Sequence, residues 1–413
     1  MTEDQPTQDV LPVLVVGAGP VGLTAALALR SHGLPVTLLE AEPEDRVRPG
    51  SRALFVHRES LRLLGRISPG LDETLVSHGV VWPTRRTVYR GREVFARTYP
   101  ARDGAAGAPG AAPPFTSLRQ VETERHLLAA CRRAGVRFQW GAPVRDVRSS
   151  AEGVEVHAGE GVWHGQYVIG ADGARSTVRR SQDITMRGDR SVAFHVVVDI
   201  QEDEDDPMPL ERVFTYEHPG LGGRSVMRVP FAGGFQLDVQ CKDDDAPEDW
   251  ADEEAVRRWV PRVVPAKYAD RVLWVSKYHF LHLVAERFAD HHRRVLLVGE
   301  ASHLFPPFGA RGMNSGIADS VAAAESVAKA LAAPDDRERA IDEFAVLRRE
   351  AALYNSDAAR TALDHLRPKR RITRLRQAAG AALSPVVPSC GEWLERAPYG
   401  PRAGAATNTS GRY

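Results

Sequence analysis

The sequence predicts an α/β fold in which a first lobe, built on a βαβ unit, is interrupted by an inserted, mainly antiparallel β-sheet lobe and followed by a helical C-terminal part. Three observations carry this reading. Near the start, an apolar strand runs into a glycine-rich turn, a small-residue helix and a second strand. In the middle, four segments alternate apolar and polar residues between turn residues. From residue 312 onward the pattern is mainly helical. A chain of 413 residues is also long for one simple core, which favours two packed lobes.

Taken in order, residues 13–16 are a short β-branched run, 20–29 an apolar helix and 36–39 a second strand that ends at Glu40. The apolar period changes from strand to helix at the glycines, as in a Rossmann-like unit. Residues 52–67 are rich in Arg and helix formers, whereas 103–114 are dense in Ala, Gly and Pro and build no core. Residues 120–134 read as an amphipathic helix, and 136–140, 154–157 and 167–169 as strands. The alternating segments 192–199, 212–217, 224–231 and 235–241 suit an antiparallel sheet with one covered face. The acidic run 201–206 reads as a solvated loop. A buried-strand pattern returns at 295–298, helices are predicted over 316–332, 336–366 and 373–383, and 398–413 is expected to fray. The first lobe is therefore expected over 10–185 and again over 291–370, with the sheet lobe inserted at 186–290 and a C-terminal helix and tail at 371–413.

Composition narrows the function classes. Lys plus Arg (54) equals Asp plus Glu (54), so no global field draws the chain to nucleic acid or an anionic membrane. Cys131, Cys241 and Cys390 are widely spaced and odd in number, which points to a reducing cytoplasm and not to a disulfide framework. The acidic, polar start lacks the basic region of a signal peptide. The apolar run 11–30 is broken by Pro and Gly, so no membrane span is expected. No metal-ligand spacing is present.

Three constellations carry chemistry. In Gly17-Ala-Gly19-Pro20-Val-Gly22, Gly17 permits the tight turn, Gly19 the close approach of a pyrophosphate, and Gly22 the packing of helix on strand. Pro20 opens the helix whose N-terminus would hold the phosphate. Glu40 follows at the distance expected of an acid on a ribose. Alone, this motif does not separate NAD from FAD. The second constellation, Tyr167 to Ser176, is a strand leading to a turn with Asp172 and Gly173 at its tip. The third, Val298 to Gly316, delivers Glu300 from a strand end and passes through Pro306-Pro307 into a glycine-rich helix start.

With all three in order, the sequence resembles the single-component FAD-dependent aromatic-ring hydroxylases, the class A flavoprotein monooxygenases of para-hydroxybenzoate hydroxylase fold, over roughly residues 10–370. The resemblance implies that Gly17, Gly19 and Gly22 face the FAD pyrophosphate and Glu40 its ribose. It assigns Arg52 to the phosphates, Gln120 to the cofactor, and Asp172 with Gly173 to FAD and the nicotinamide. It puts Glu300 near the ribityl chain and the N–H groups beyond Gly312, at Met313 and Asn314, at the flavin pyrimidine edge. Two departures stand out: Glu300 replaces the family's aspartate, and Ala310-Arg311 replaces the common Gly-Gln. A helix start near Gly312, with Arg311 beside it, would favour a reduced, anionic flavin, and Pro307 would form a rigid wall.

The implied activity is hydroxylation of a phenolic or polycyclic aromatic small molecule with O2, through a flavin C4a-hydroperoxide, with NADPH or NADH as transient reductant. A role in secondary metabolism suits the composition. The chain is expected as monomer or homodimer, with no nucleic-acid or membrane partner. The same motifs would serve an epoxidase, an oxidative decarboxylase, a dehydrogenase or a catalytically decayed flavin-binding protein. Candidates for the substrate pocket are His195, Tyr216, Arg224, Met227, Arg228, Gln236 and Asp238 on the inserted strands, of which only alternate positions share a face, together with Tyr278 and His279. His303 reads as a hydrogen-bonded structural residue, and Arg175 and Arg179 as braces of their turn.

Overall fold

The computed structural model describes residues 11–46, 53–99 and 113–401. Its first layer is a five-stranded parallel sheet in the order Val295–Leu297, Tyr167–Gly170, Val13–Val16, Val36–Leu39, Arg137–Gln139. Val13 aligns with Tyr167 on one side and Val36 on the other. The first four strands are buried along their whole length because helices cover the sheet, whereas the edge strand Arg137–Gln139 buries none of its three residues fully. Helix Pro20–Ser31 lies between helix Gln120–Arg133 and helix Arg311–Ala332, and Leu14, Val15, Leu23 and Leu27 are at most 1% exposed. A small antiparallel sheet, Val144–Ser149, Val154–Ala158 and Gly161–Gly165, is appended to this lobe.

The inserted lobe is an eight-stranded sheet in the order His303–Leu304, Val272–Ala285, Met186–Gln201, Gly234–Gln240, Arg224–Phe231, Glu211–His218, Thr84–Tyr89, Arg92–Thr98. Every neighbouring pair is antiparallel except Glu211–His218 with Thr84–Tyr89, which run parallel. The α/β architecture with a mainly antiparallel insertion is thus as expected. The two strands over 84–98 were not anticipated, because arginines obscure the alternation that buries Thr87, Tyr89 and Val94. They reverse at Arg90 and Gly91, both at positive φ (50° and 84°). The sheet is also covered on its outer face by Glu253–Trp259, which adds Val256 and Trp259 to a core with Phe235, Leu237 and Val239.

Four helices close the chain: Arg311–Ala332, Arg337–Leu366, Arg371–Leu383 and Pro388–Arg396. The last was not expected. It lies on the Arg92–Thr98 strand, where a Cβ at Gly391 would stand 2.1 Å from the Val94 carbonyl oxygen. Residues 398–401 do not fray as expected: Pro398 is buried in a 3-10 turn, Ala397–Tyr399. The rest of that segment, residues 402–413, lies outside the described residues, as does most of the expected loop 103–114. Among the described residues no helix is long and apolar enough to cross a membrane.

Candidate active site

The ends of the parallel strands, two helix N-termini and one face of the eight-stranded sheet enclose a single cavity of about 1940 Å³. That is roughly twice the upper range of ordinary small-ligand pockets, ~1000 Å³, and leaves room for a large cofactor beside a second molecule.

The first helix N-terminus separates packing glycines from ligand-facing ones. Gly17 sits at φ 102°, and a Cβ there would lie 2.5 Å from the Ala171 carbonyl oxygen. A Cβ on Gly22 would lie 1.9 Å from the Gly17 carbonyl oxygen. Gly19, by contrast, has no atom within 4 Å of where its Cβ would be and lines the cavity. Helix Pro20–Ser31 has no side-chain cap and no acid in its first turn, so its positive end is offered to an anion. Glu40 closes the cradle from the neighbouring strand. It accepts from the N–H of Ala18 (2.5 Å) and of Glu42 (3.1 Å) and pairs with Arg46 (2.9 Å). Burial pushes its carboxyl up, but those N–H groups and the guanidinium outweigh it and hold the group below its ordinary value.

The second N-terminus is that of Arg311–Ala332, again without a side-chain cap or an acid in the first turn. Its N-cap, Ala310, follows Gly309, and both lie at positive φ (53° and 76°). Such a conformation is strained for a residue with a Cβ. A Cβ at Gly312 would meet nothing within 4 Å. The N–H groups of Arg311, Gly312 and Met313 precede the first intrahelical bond, and all three residues line the cavity. Asn314 does not line it. Its side chain accepts from the His57 N–H (2.9 Å) and Ser60 Oγ (2.7 Å) and donates to Phe55 and Ala310 carbonyls. It therefore ties this helix to strand Phe55–His57 and helix Arg58–Ile67.

Other residues named from the sequence also have roles within the fold. Arg311, foreseen as a charge beside a flavin, lines the cavity, but its guanidinium donates to Asn355 Oδ1 (2.7 Å) and to the carbonyls of Tyr399 (3.1 Å) and Pro401 (2.8 Å). Pro307 lines the cavity, yet its carbonyl closes the turn by accepting from the Ala310 N–H (3.0 Å). Asp172 caps helix Thr177–Ser181, accepting from Ser176 Oγ (2.5 Å) and the N–H of Thr177 (2.7 Å) and Val178 (3.0 Å). Burial pushes its carboxyl up, partly countered by those donors. Gly173, at φ 76°, is open. Arg179 braces the turn through the Ala301 carbonyl (2.9 Å), whereas Arg175 is exposed at the cavity. Gln120 donates to Glu124 (2.9 Å) from the cavity wall, and Glu300 is exposed there. Arg52 lies outside the described residues. His303 is structural: Asp319 accepts from His303 Nε2 (2.7 Å), Arg348 Nε (2.7 Å) and the Gly299 N–H (3.1 Å) in a fully buried cluster.

On the sheet side, Met227, Gln236, Asp238, Tyr278 and His279 line the cavity. Others of the candidate set turn away from it. Tyr216 donates to the Leu394 carbonyl (2.6 Å), Arg224 pairs with Asp245, and Arg228 with Glu211. His195 stands behind the wall, with Nδ1 2.5 Å from Asp238 Oδ1. Sequence reasoning missed Arg212, Gln240 and Trp274, all on the wall. The strict alternation over 234–240 was the available signal for Gln240.

The cradle fits a flavin dinucleotide: one uncapped helix end and an open glycine suit a pyrophosphate, a carboxylate stands beside it, and a second uncapped helix end waits for the anionic ring. Comparison with known proteins agrees. The family model described as an FAD binding domain matches residues 10–353. A 3-(3-hydroxy-phenyl)propionate/3-hydroxycinnamic acid hydroxylase of Mycobacterium avium is 32% identical over 331 residues, covering 75% of this chain. The chain spans 53% of that relative's length. A 6-methylpretetramide 4-monooxygenase of Streptomyces rimosus is 29% identical over 88% of this chain and 64% of its own. Among solved structures, a p-nitrophenol 4-monooxygenase of Pseudomonas putida superposes with a TM-score of 0.76 at 22% identity, over 95% of this chain and 99% of its own, a likeness of fold.

Proposed function

The chain belongs to the FAD binding domain family, and on that premise we propose that it is an NAD(P)H-consuming monooxygenase that hydroxylates an aromatic small molecule. One observation supports this most: the cradle and the sheet wall share one cavity, so a cofactor and a second molecule would meet face to face. When bound, FAD supplies the redox chemistry, accepting a hydride and passing one oxygen atom of O2 to the ring.

The chain's own contribution is binding, orientation and exclusion of water. Gly19 and the N-terminus of Pro20–Ser31 would hold the pyrophosphate, and Glu40 a ribose. The N–H groups of Gly312 and Met313 would face the flavin ring and stabilise negative charge there. Asp172 and Gly173 would shape the adjoining turn, with Gln120 and Glu300 at its margins. Pro307 and Phe308 would wall the substrate space. Arg311 would act indirectly, by fixing the helix start against residues 399–401.

The test is NAD(P)H oxidation by the FAD-loaded protein across a panel of phenols and polycyclic aromatics, with labelled O2. Faster oxidation with one labelled atom in the product is expected. Oxidation with no label in any product would favour a dehydrogenase or oxidase. A protein that cannot be loaded with FAD would overturn the proposal.

A further inference from the structure

Strand Gly234–Gln240 alternates strictly. Phe235, Leu237 and Val239 are at most 1% exposed in the outer core. Gln236, Asp238 and Gln240 point the other way and line the cavity. A polar face on such a strand is ordinarily a solvated one, yet these three are only 6–8% exposed. The polar face is thus interior, and the register extends it: Asp199 lies opposite Gln236, and His195 opposite both Gln240 and Tyr278.

Gln236 Nε2 donates to the fully buried Asp199 (2.8 Å). Asp238 faces His195 (2.5 Å) and accepts from the Tyr278 hydroxyl (3.3 Å). A carboxylate has about four acceptor positions, so Asp238 retains acceptor capacity towards the cavity it lines. Of the cations on this wall, Arg212, at 1% exposure, is ion-paired with the buried Glu395, and the half-buried Arg85 reaches the same carboxylate (4.0 Å). Lys277 is exposed.

We propose that this wall selects uncharged aromatic substrates bearing hydroxyl donors, with Asp238 as the specificity-determining acceptor, and disfavours carboxylated ones. The inference rests on the aromatic-hydroxylase reading above. A substrate hydroxyl would donate to Asp238, gaining a charge-assisted hydrogen bond in a desolvated site. A substrate carboxylate would instead meet Asp238, with Asp199 buried on the next strand, at low dielectric, where like charges repel most strongly.

Three ligands of one shape separate the cases: 2,6-dihydroxynaphthalene, 2,6-dimethoxynaphthalene and 6-hydroxy-2-naphthoate, titrated into the FAD-loaded protein and followed by flavin absorbance. The dihydroxy compound is expected to bind about tenfold more tightly than either other ligand. In Asp238→Asn its advantage over the naphthoate should shrink to about threefold or less, while Tyr278→Phe, which keeps the carboxylate, should preserve the order. Equal or tighter binding of the naphthoate or the dimethyl ether by the wild type, or an unchanged ratio in Asp238→Asn, overturns the inference. Should that variant fail to fold, the wild-type order decides. If none of the three perturbs the flavin of a yellow protein, the hydroxylase reading falls and this inference with it; a preference for the naphthoate removes only the inference.

Discussion

The two sides of the cavity are made of different material. At the cradle, the ligand-facing surface is main chain: N–H groups at two helix ends, exposed because Gly19 and Gly312 carry no side chain into the space before them. At the sheet wall it is side chain, presented by alternate residues of strands whose other face is packed core. A main-chain surface suits a cofactor that must be held the same way whatever the reaction. A side-chain surface can be rewritten without disturbing the sheet, which suits recognition of a particular substrate.

The contrast can be broken most forcefully at the glycines. In Gly22→Ala the new Cβ would enter the Gly17 carbonyl, which belongs to the backbone and cannot turn aside. We expect loss of FAD and destabilisation of ~3 kcal/mol or more. Gly19→Ala should keep the apoprotein's melting temperature while FAD affinity falls at least about tenfold. Thermal unfolding of the apoprotein and flavin fluorescence read the two effects. Equal melting of both variants would erase the distinction between packing and ligand-facing glycines.

Next in size is Asp319→Asn, which leaves Arg348 and His303 buried without their anion and should cost about 3–5 kcal/mol in urea unfolding at neutral pH. Burial raises the Asp319 carboxyl, but Arg348 and His303 hold it below its ordinary 3.8. A carboxyl with a depressed folded-state pKa stabilises the fold above the unfolded value and loses that contribution as the pH falls through the folded one. The gap between wild type and variant should therefore be full above about pH 4 and narrow under stronger acid. A gap that widens there would show that the anion is not what binds this cluster.

The two faces of strand Gly234–Gln240 give a paired test. Phe235→Ala should lower stability by about 3 kcal/mol and leave substrate preference unchanged. Gln240→Leu should change stability by less than about 1 kcal/mol and shift kcat/KM among aromatic substrates severalfold. Smallest of all, Arg66→Ala removes a half-exposed pair with Glu325 and should move stability by less than about 1 kcal/mol.

The same contrast explains what could be read from the sequence. The first half of the cradle is local: strand, glycine turn, helix and acid follow one another within 28 residues of Val13, and backbone chemistry dictates their types. Glu40 was therefore found at its place. Asp172 was found as a position but not in its act of capping a helix, because the cap depends on how the next turn folds. The wall is non-local. Alternation over 235–241 announces two unlike faces, but only the register with the neighbouring strands and the first lobe's position turn the polar one inward. Tyr216, Arg224 and Arg228 illustrate the point: their types suit a pocket, and their side chains are spent on Leu394, Asp245 and Glu211.

The Arg311 clasp bears on when the binding site becomes complete. During synthesis, domains fold as their residues emerge, N-terminal first, and the cradle's strand, turn and helix are made within the first tenth of the chain. The parallel sheet nevertheless lacks its edge strand until residues 295–297 arrive. The second helix end gains the last of the partners of Arg311 only when the carbonyls of residues 399 and 401 do. A nascent chain would thus hold half a binding site from residue 40 until residues near 401 are made, and shortening it by a few residues before position 401 would act at the helix start facing the flavin, some ninety residues upstream of the cut.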